Sequence, residues 1–264
     1  MESKKHHMSQ SIILWLIGIY LIIPLFLTLL YSLFSEWITV VPNGFSFNGY
    51  TEILTDFNFW ASIGRTIIIS VVPIVICTVI ILLAMYVVVV YMPRLDKIIK
   101  VICTIPYAIQ GVILPISVLS LYVNAPEPFS NRVFMLVSTY CIVILPYIYQ
   151  GVRNSLNSVS ASNLIEASQL LGAGKFYAFW KIVIPNIRSG IIISAMLALS
   201  IVFGDFVIIN ILAGNYFPTG QMYLYAVMRS SSQNASAVIV ILFIITLLIS
   251  LSVFGLQKKQ KNRI

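Results

Sequence analysis

The sequence predicts an all-α, polytopic membrane protein with six transmembrane helices, on three observations. Of its 264 residues, 59% are apolar and 9% are charged, where a soluble domain would be about a quarter charged. Apolar runs near or above the roughly 20 residues that carry a helix across the hydrocarbon recur along the chain. Alternating polar and apolar runs are scarce, so the crossing elements are helices rather than barrel strands. The whole chain, residues 1–264, reads as a single transmembrane domain.

The first span is expected over residues 12–34, where Pro24 is tolerated because neighbouring helices can satisfy the freed carbonyl. Lys4 and Lys5 ahead of it give it the look of a signal peptide, but the run is too long and has no small-residue cleavage site, which predicts a retained helix. Residues 35–58 hold Glu36, Glu52 and Asp56, and the Pro42-Asn43-Gly44 and Asn48-Gly49 stretches read as turns in an extramembrane loop. The second span lies within 60–91, longer than one crossing needs, which predicts a tilted helix or one that begins outside the bilayer. A tight turn over 92–100 carries Pro93, Arg94, Asp96, Lys97 and Lys100. The third span, 101–123, is interrupted by Pro106, Gly111 and Pro115, the pattern of an irregular helix beside a pathway.

Residues 124–131 make a short polar turn and the fourth span covers 133–151. A polar region follows over 152–188, then a fifth span over 189–212. Residues 213–235 contain Gly214, Asn215, Pro218, Gly220 and several aromatics, which suits either a connecting segment or a partly re-entrant one lining a gate. The sixth span covers 236–255, ahead of a basic tail with Lys258, Lys259, Lys261 and Arg263.

Six spans leave both termini on one side. Lys4, Lys5, the Arg94 to Lys100 cluster, Arg153, Lys175, Lys181, Arg188 and the tail all fall on that side, with Arg65, Arg132 and Arg229 near the other. Basic residues favour the cytoplasmic face, so both termini and the polar region are expected there. This asymmetry accounts for the net charge of +8 and makes a nucleic-acid partner unnecessary. Cys77, Cys103 and Cys141 lie far apart within apolar runs and read as buried thiols. His6 and His7 have no acidic or cysteine companions at ligand spacing, so no metal site is expected.

The polar region holds the most informative stretch, Glu166 to Pro185. Asn163 followed by Glu166 has capping-box spacing, with Ser160 and Ser162 as alternative caps. Leu164, Ala167 and Leu171 then share a face, and Gly172-Ala173-Gly174 ends the helix. A second short helix is expected over 175–184, with Phe176, Phe179, Trp180 and Val183 apolar and Pro185 turning the chain into the fifth span. Exposed apolar residues on such a bend need a partner or a membrane surface. Gly172-Ala173-Gly174-Lys175 is not a phosphate-binding loop, because Gln169 and Phe176 stand where that loop needs glycine and a hydroxyl residue.

Glu166-Ala167-Ser168, then Gly172, then Ile182-x-Ile184-Pro185 resembles the cytoplasmic EAA loop of permease subunits of ABC importers. Ser168 stands for the second alanine and Ile184 for leucine. Further similar stretches are Arg65-Thr66, Pro106-Tyr107, Leu145-Pro146-Tyr147 and Phe203-Gly204-Asp205-Phe206-Val207, so the likeness spans roughly residues 12 to 256. Within that family the short chain and Gly204-Asp205-Phe206-Val207 are similar to the spermidine/putrescine-type subunits, closest to the smaller of their paired permeases.

The resemblance implies a type I ABC importer permease fold in a bacterial inner membrane. It also implies a coupling helix near Glu166, Ala167, Ser168, Leu170, Leu171 and Gly172, with Ile182 and Pro185 closing the loop. Two ATPase subunits carrying ATP and Mg, a second permease making a heterodimer, and an extracytoplasmic solute-binding protein are the implied partners beside the lipid. The chain itself would bind no cofactor and catalyse nothing.

Asp205 is the one acidic residue inside an apolar run, and an ionisable group there is a pathway or partner hypothesis. It either attracts a cationic solute, with Phe203 and Phe206 adding cation–π contact, or makes a helix-to-helix hydrogen bond or salt bridge, with Arg229 and Arg65 as candidate partners. Polyamine is the first expected solute, with aminoethylphosphonate, thiamine and ferric iron beside it. An ATP-independent channel or secondary transporter would need an inverted repeat or several buried ionisable groups, and neither is visible.

Overall fold

The computed structural model describes the backbone of residues 2–36, 43–109 and 111–261, with side chains over 14–34, 44–109 and 111–251. Pro42 of the expected turn and Arg263 of the basic tail lie outside the described residues, as do the side chains of Lys4, Lys5, His6, His7, Lys258, Lys259 and Lys261. In chain order the elements are α1 (Glu2–Ser32), β1 (Phe34–Glu36), β2 (Asn43–Phe45), α2 (Asn48–Thr55), α3 (Phe57–Val90) and α4 (Leu95–Thr104). A 3₁₀ turn (Ile105–Ile109) leads to α5 (Ile113–Tyr122), followed by α6 (Arg132–Ser158), α7 (Ala161–Leu170) and α8 (Lys175–Ala178). A π-helical segment (Phe179–Val183) joins α8 to α9 (Ile184–Gly204), and the chain closes with α10 (Val207–Leu212), a 3₁₀ turn (Gly214–Tyr216), α11 (Gly220–Met228) and α12 (Ser232–Lys261).

Among the described residues five helices are long and apolar enough to span a membrane. The bent pair Leu95–Ile109 and Ile113–Tyr122 makes a sixth if it counts as one broken span, with 100° between its halves. The all-α expectation holds apart from the small antiparallel hairpin β1–β2, which pairs Phe34 with Phe45. The third span is broken near two of the three residues expected to interrupt it: Pro106 lies in the 3₁₀ turn and Gly111, with φ +87°, at the bend, whereas Pro115 sits inside continuous α5. Proline inside α1, α3 and α6 leaves each helix continuous.

Several expected boundaries move. Asn48 and Gly49 open α2 instead of forming a turn. The stretch after Pro93 is already helical from Leu95, so Asp96, Lys97 and Lys100 sit on α4 rather than in a loop. The fourth span does not end at 151, because α6 runs on to Ser158 and carries Arg153 on its last turns. Pro185 starts no turn: α8, the π segment and α9 are continuous, and Pro185 is the second residue of α9, directly after the π segment that already interrupts the regular ladder of helical bonds. The separate second helix expected over 175–184 is therefore the lead-in to a long span.

The chain divides into two compact units, Met1–Trp60 with Tyr223–Leu248, and Ala61–Met222 with Ile249–Ile264. In the first unit Ser32 and Tyr50 share a hydroxyl contact of 2.5 Å, Asn234 Nδ2 donates to Glu52 Oε2 at 3.0 Å, and Tyr223 donates to Asp56 Oδ2 at 2.7 Å. The Tyr223 hydroxyl and the Asn58 N–H together hold the Asp56 carboxyl below the usual carboxylate range.

The second unit holds most of the core, in which Tyr140, Ile144, Val183, Ala198 and Val202 are fully buried. Its central pair is α6 against α9. Lipid is as apolar as leucine, so helices in a membrane associate by close packing at small residues rather than by leaving water. Both helices carry the same device, Gly151 and Ser155 on α6, Gly190 and Ser194 on α9, four residues apart in each case. A Cβ on Gly151 would run into the Ser194 side chain, and a Cβ on Gly190 into Ser155. Each glycine therefore receives the serine of the opposite helix.

Candidate functional site

The Glu166 stretch folds as α7, a turn, and α8. The helix starts two residues before Asn163, from Ser160 in a left-handed conformation with φ +49°, and no side-chain cap is made. The expected capping box between Asn163 and Glu166 is therefore absent, since Asn163 is already inside the first turn. Ala161, Ile165 and Ser168 form the buried stripe, and Ser168 Oγ donates to the Leu164 carbonyl at 2.6 Å. Leu164 is half-buried against the core, whereas Glu166 and Ala167 face outward and Leu170 and Leu171 are 89% and 90% exposed. The shared face expected for Leu164, Ala167 and Leu171 is thus replaced by a stripe one position away, because α7 packs on α8 and the π segment.

The glycine stop is as expected. Gly172 takes φ +85°, its N–H bonds the Gln169 carbonyl at 2.9 Å, and the Ala173 N–H bonds the Ser168 carbonyl at 3.0 Å. This pair of bonds is the Schellman closure of a helix, which needs a residue at positive φ. A Cβ on Gly172 would meet nothing, so the glycine is required by backbone conformation and not by space. Ile182 is half-buried in the π segment and Pro185 is exposed at the start of α9.

Next to α7, Arg153 on α6 grips Asp96 on α4, Nε to Oδ1 at 2.9 Å and Nη2 to Oδ2 at 2.5 Å, with Tyr149 donating to Oδ1 at 3.3 Å. A cleft of about 360 Å³ opens beside the pair, lined among others by Pro93, Asn157, Ser160 and Asn163. A two-pronged guanidinium–carboxylate contact fixes orientation as well as distance, so it clamps the start of the broken span to the end of α6. Arg153→Ala is expected to destabilise the fold by roughly 1.5–3 kcal/mol, read as a lower melting temperature in detergent. Exchanging the two residues, Asp96→Arg with Arg153→Asp, should restore part of the loss.

Asp205 is not inside a helix. It occupies the break between α9 and α10 in an extended conformation, and its Oδ2 accepts from the Tyr140 hydroxyl at 2.9 Å and the Ile208 N–H at 3.0 Å. It therefore caps α10 and ties the break to α6. Arg65 is bound elsewhere, donating to the Pro218 carbonyl at 2.9 Å. Phe203 is buried and Phe206 is half-buried.

Other noted stretches also find each other. The rings of Tyr107 and Tyr147 stand edge to face at 5.4 Å, which joins Pro106-Tyr107 to Leu145-Pro146-Tyr147. Thr66 Oγ1 accepts from the Gly220 N–H at 2.9 Å, so Arg65-Thr66 holds Pro218 and the first residue of α11. Sequence reasoning missed the Asp96–Arg153 clamp and the paired Gly-x-x-x-Ser faces, although the repeated spacing was a signal for the latter. Among the described residues no group of three or more His, Cys, Asp or Glu could hold a metal ion. Cys77 and Cys103 are buried free thiols and Cys141 is half-buried.

Residues 66–264 match the model of the family described as binding-protein-dependent transport system inner membrane component. Two proteins named as 2-aminoethylphosphonate transport system permeases, from Salmonella paratyphi A and Salmonella typhimurium, are each 20% identical over 245 residues, covering 91% of this chain and 91% of theirs. The solved structure of a bacterial ABC transporter that imports the acidic polysaccharide alginate shares the fold, with TM-score 0.64 and 16% identity, covering 98% of this chain and 97% of that one. The relatives named here carry no polyamine designation, so the finer likeness to spermidine/putrescine subunits is not what they support. With three quarters of its length matched, this chain belongs to the family of inner membrane components of binding-protein-dependent transport systems.

Proposed function

We propose that the chain is one permease of an ABC importer whose α7 docks on a cytoplasmic ATPase, and that its solute is 2-aminoethylphosphonate or a close amine-bearing analogue. The observation that carries the docking reading is α7 itself, a short helix closed by a glycine turn that presents Glu166, Ala167, Leu170 and Leu171 outward. Two adjacent leucines so exposed at the end of a rigid element are anchors waiting for a groove. Both termini then lie in the cytoplasm, on the side of Arg94, Lys97, Lys100, Arg153 and Lys175, consistent with the excess of basic residues. ATP and Mg belong to two ATPase copies, and a second permease completes the pathway.

The solute reading rests on the names of the two Salmonella relatives. A polyamine remains the second reading, favoured by the Gly204-Asp205-Phe206-Val207 stretch. Both solutes carry an ammonium group, and Asp205 is the acidic residue at the helix break. Uptake of labelled 2-aminoethylphosphonate and of labelled spermidine by a deletion strain, with and without the restored chain, separates them. Restored uptake of the phosphonate alone is the expected result, and restored uptake of spermidine alone overturns the assignment.

A further inference from the structure

The chain beyond the Gly172 turn is gripped by the end of α3. The Phe176 ring stands edge-on to Tyr86 at 5.8 Å, and the Phe179 ring leans on the same tyrosine at 5.2 Å. Tyr91, one residue past α3, meets Tyr86 edge-on at 5.7 Å, and their hydroxyls are 3.3 Å apart. Lys175 Nζ lies 5.1 Å from the centre of the Tyr91 ring. Phe176 on α8 and Phe179 at the start of the π segment are thus held against Tyr86 near the end of α3, with Tyr91 just beyond it bridging Tyr86 and the Lys175 ammonium.

This grip bears on how a push on α7 would travel. One route runs along the backbone from α8 into α9, but it passes through the π segment Phe179–Val183. Such segments interrupt the regular ladder of helical bonds and are places where a helix bends or shifts register. The other route crosses the ring contacts directly into α3, an unbroken helix of 34 residues. Rings in van der Waals contact resist compression, so this second route is the stiffer one.

We propose that Tyr86 and Tyr91 are positioning residues that carry the movement of α7 into α3, with Lys175 steadying the Tyr91 end of the contact. The proposal rests on the reading that α7 docks on the ATPase. Plain packing would predict only a change in stability when a ring is removed. Transmission predicts that ATP hydrolysis persists while α3 stops responding to it.

The test uses the complete complex in proteoliposomes, in a chain whose three native cysteines are replaced by alanine. Val87→Cys, at an exposed position of α3, is labelled with an environment-sensitive dye, and the shift on trapping with ATP and vanadate is recorded beside the hydrolysis rate. In the reference complex and in Tyr86→Phe the shift should be present. In Tyr86→Ala it should fall at least fivefold while hydrolysis stays within twofold. A retained shift in Tyr86→Ala, parallel loss of both readouts, or a reference complex with no shift at all overturns the proposal. Should Tyr86→Ala fail to insert, Tyr91→Ala is judged by the same criteria, since Tyr91 is more than half exposed. Failure of the ATPase to join the reference complex would overturn the docking reading instead, so the two failures are distinguishable.

Discussion

Gly190→Leu is expected to reduce the yield of folded permease at least tenfold. A Cβ at this position would overlap the Ser155 hydroxyl and lie 2.8 Å from the Ser155 Cβ, with the Gly151 carbonyl 3.6 Å away. Rotating Ser155 relieves only part of the overlap, because its Cβ cannot leave with its Oγ, and the rotation breaks the 2.7 Å bond from Oγ to the Gly151 carbonyl. The helices must separate, and leucine adds three further carbons beyond that first one. Overpacking a tight contact costs on the order of 1–3 kcal/mol, and here the contact is one of the two Gly–Ser approaches between α6 and α9. Lipid offers no compensating drive to push the pair back together.

Size-exclusion profiles of the detergent-extracted chain measure the effect. A pairwise rescue separates a local clash from general damage: Gly190→Ala should lower stability, and adding Ser155→Gly should recover most of it, a coupling of about 0.5–3 kcal/mol. A Gly190→Leu chain that extracts at normal yield and elutes as a single species would show that the two helices do not approach as described.

Five spans and their order were legible because crossing a membrane takes long apolar runs, while the sixth depends on counting the bent pair Leu95–Ile109 and Ile113–Tyr122 as one broken span. Helix ends were not legible in the same way. Residues 152–158 are mostly polar and read as loop, yet they continue α6, because Arg153 finds Asp96 on an element distant in sequence. The capping box at Asn163 and Glu166 was a valid local pattern that lost to the packing of Ala161 and Ile165, which pulls the helix start back. Near Asp205 the run over 189–212 hides a break, since its apolar content is unaffected by where the backbone turns. Gly204 followed by Asp205 was the available sign, a helix stop and then a cap for the next helix. At Pro185 the sign misled, since proline is also accepted inside a continuous helical stretch where the ladder of bonds is already interrupted, here by the π segment before it. At the candidate site, the turn at Gly172 follows from glycine chemistry, while the outward stripe of α7 depends on what α8 covers.

Replacing both Leu170 and Leu171 by aspartate is expected to release the ATPase while leaving the permease intact. The two side chains are 89% and 90% exposed, so their removal deletes almost no packing within the chain, and the Gly172 closure depends on backbone bonds that aspartate also permits. Within a partner's groove the balance reverses. Truncating a buried anchor residue costs about 2 kcal/mol or more, and two added carboxylates would have to be stripped of water without partners. Co-purified ATPase should therefore fall at least tenfold at an unchanged yield of permease, and uptake should fall with it. Undiminished co-purification would sink the docking reading of α7. It would then leave Leu170 and Leu171 as contacts of α7 with the bilayer surface, since the membrane spans hold the chain in place in either case. Leu170 and Leu171 have two candidate hosts, protein groove or lipid, and charge there distinguishes them because only a protein groove makes co-purification of the ATPase depend on these two side chains.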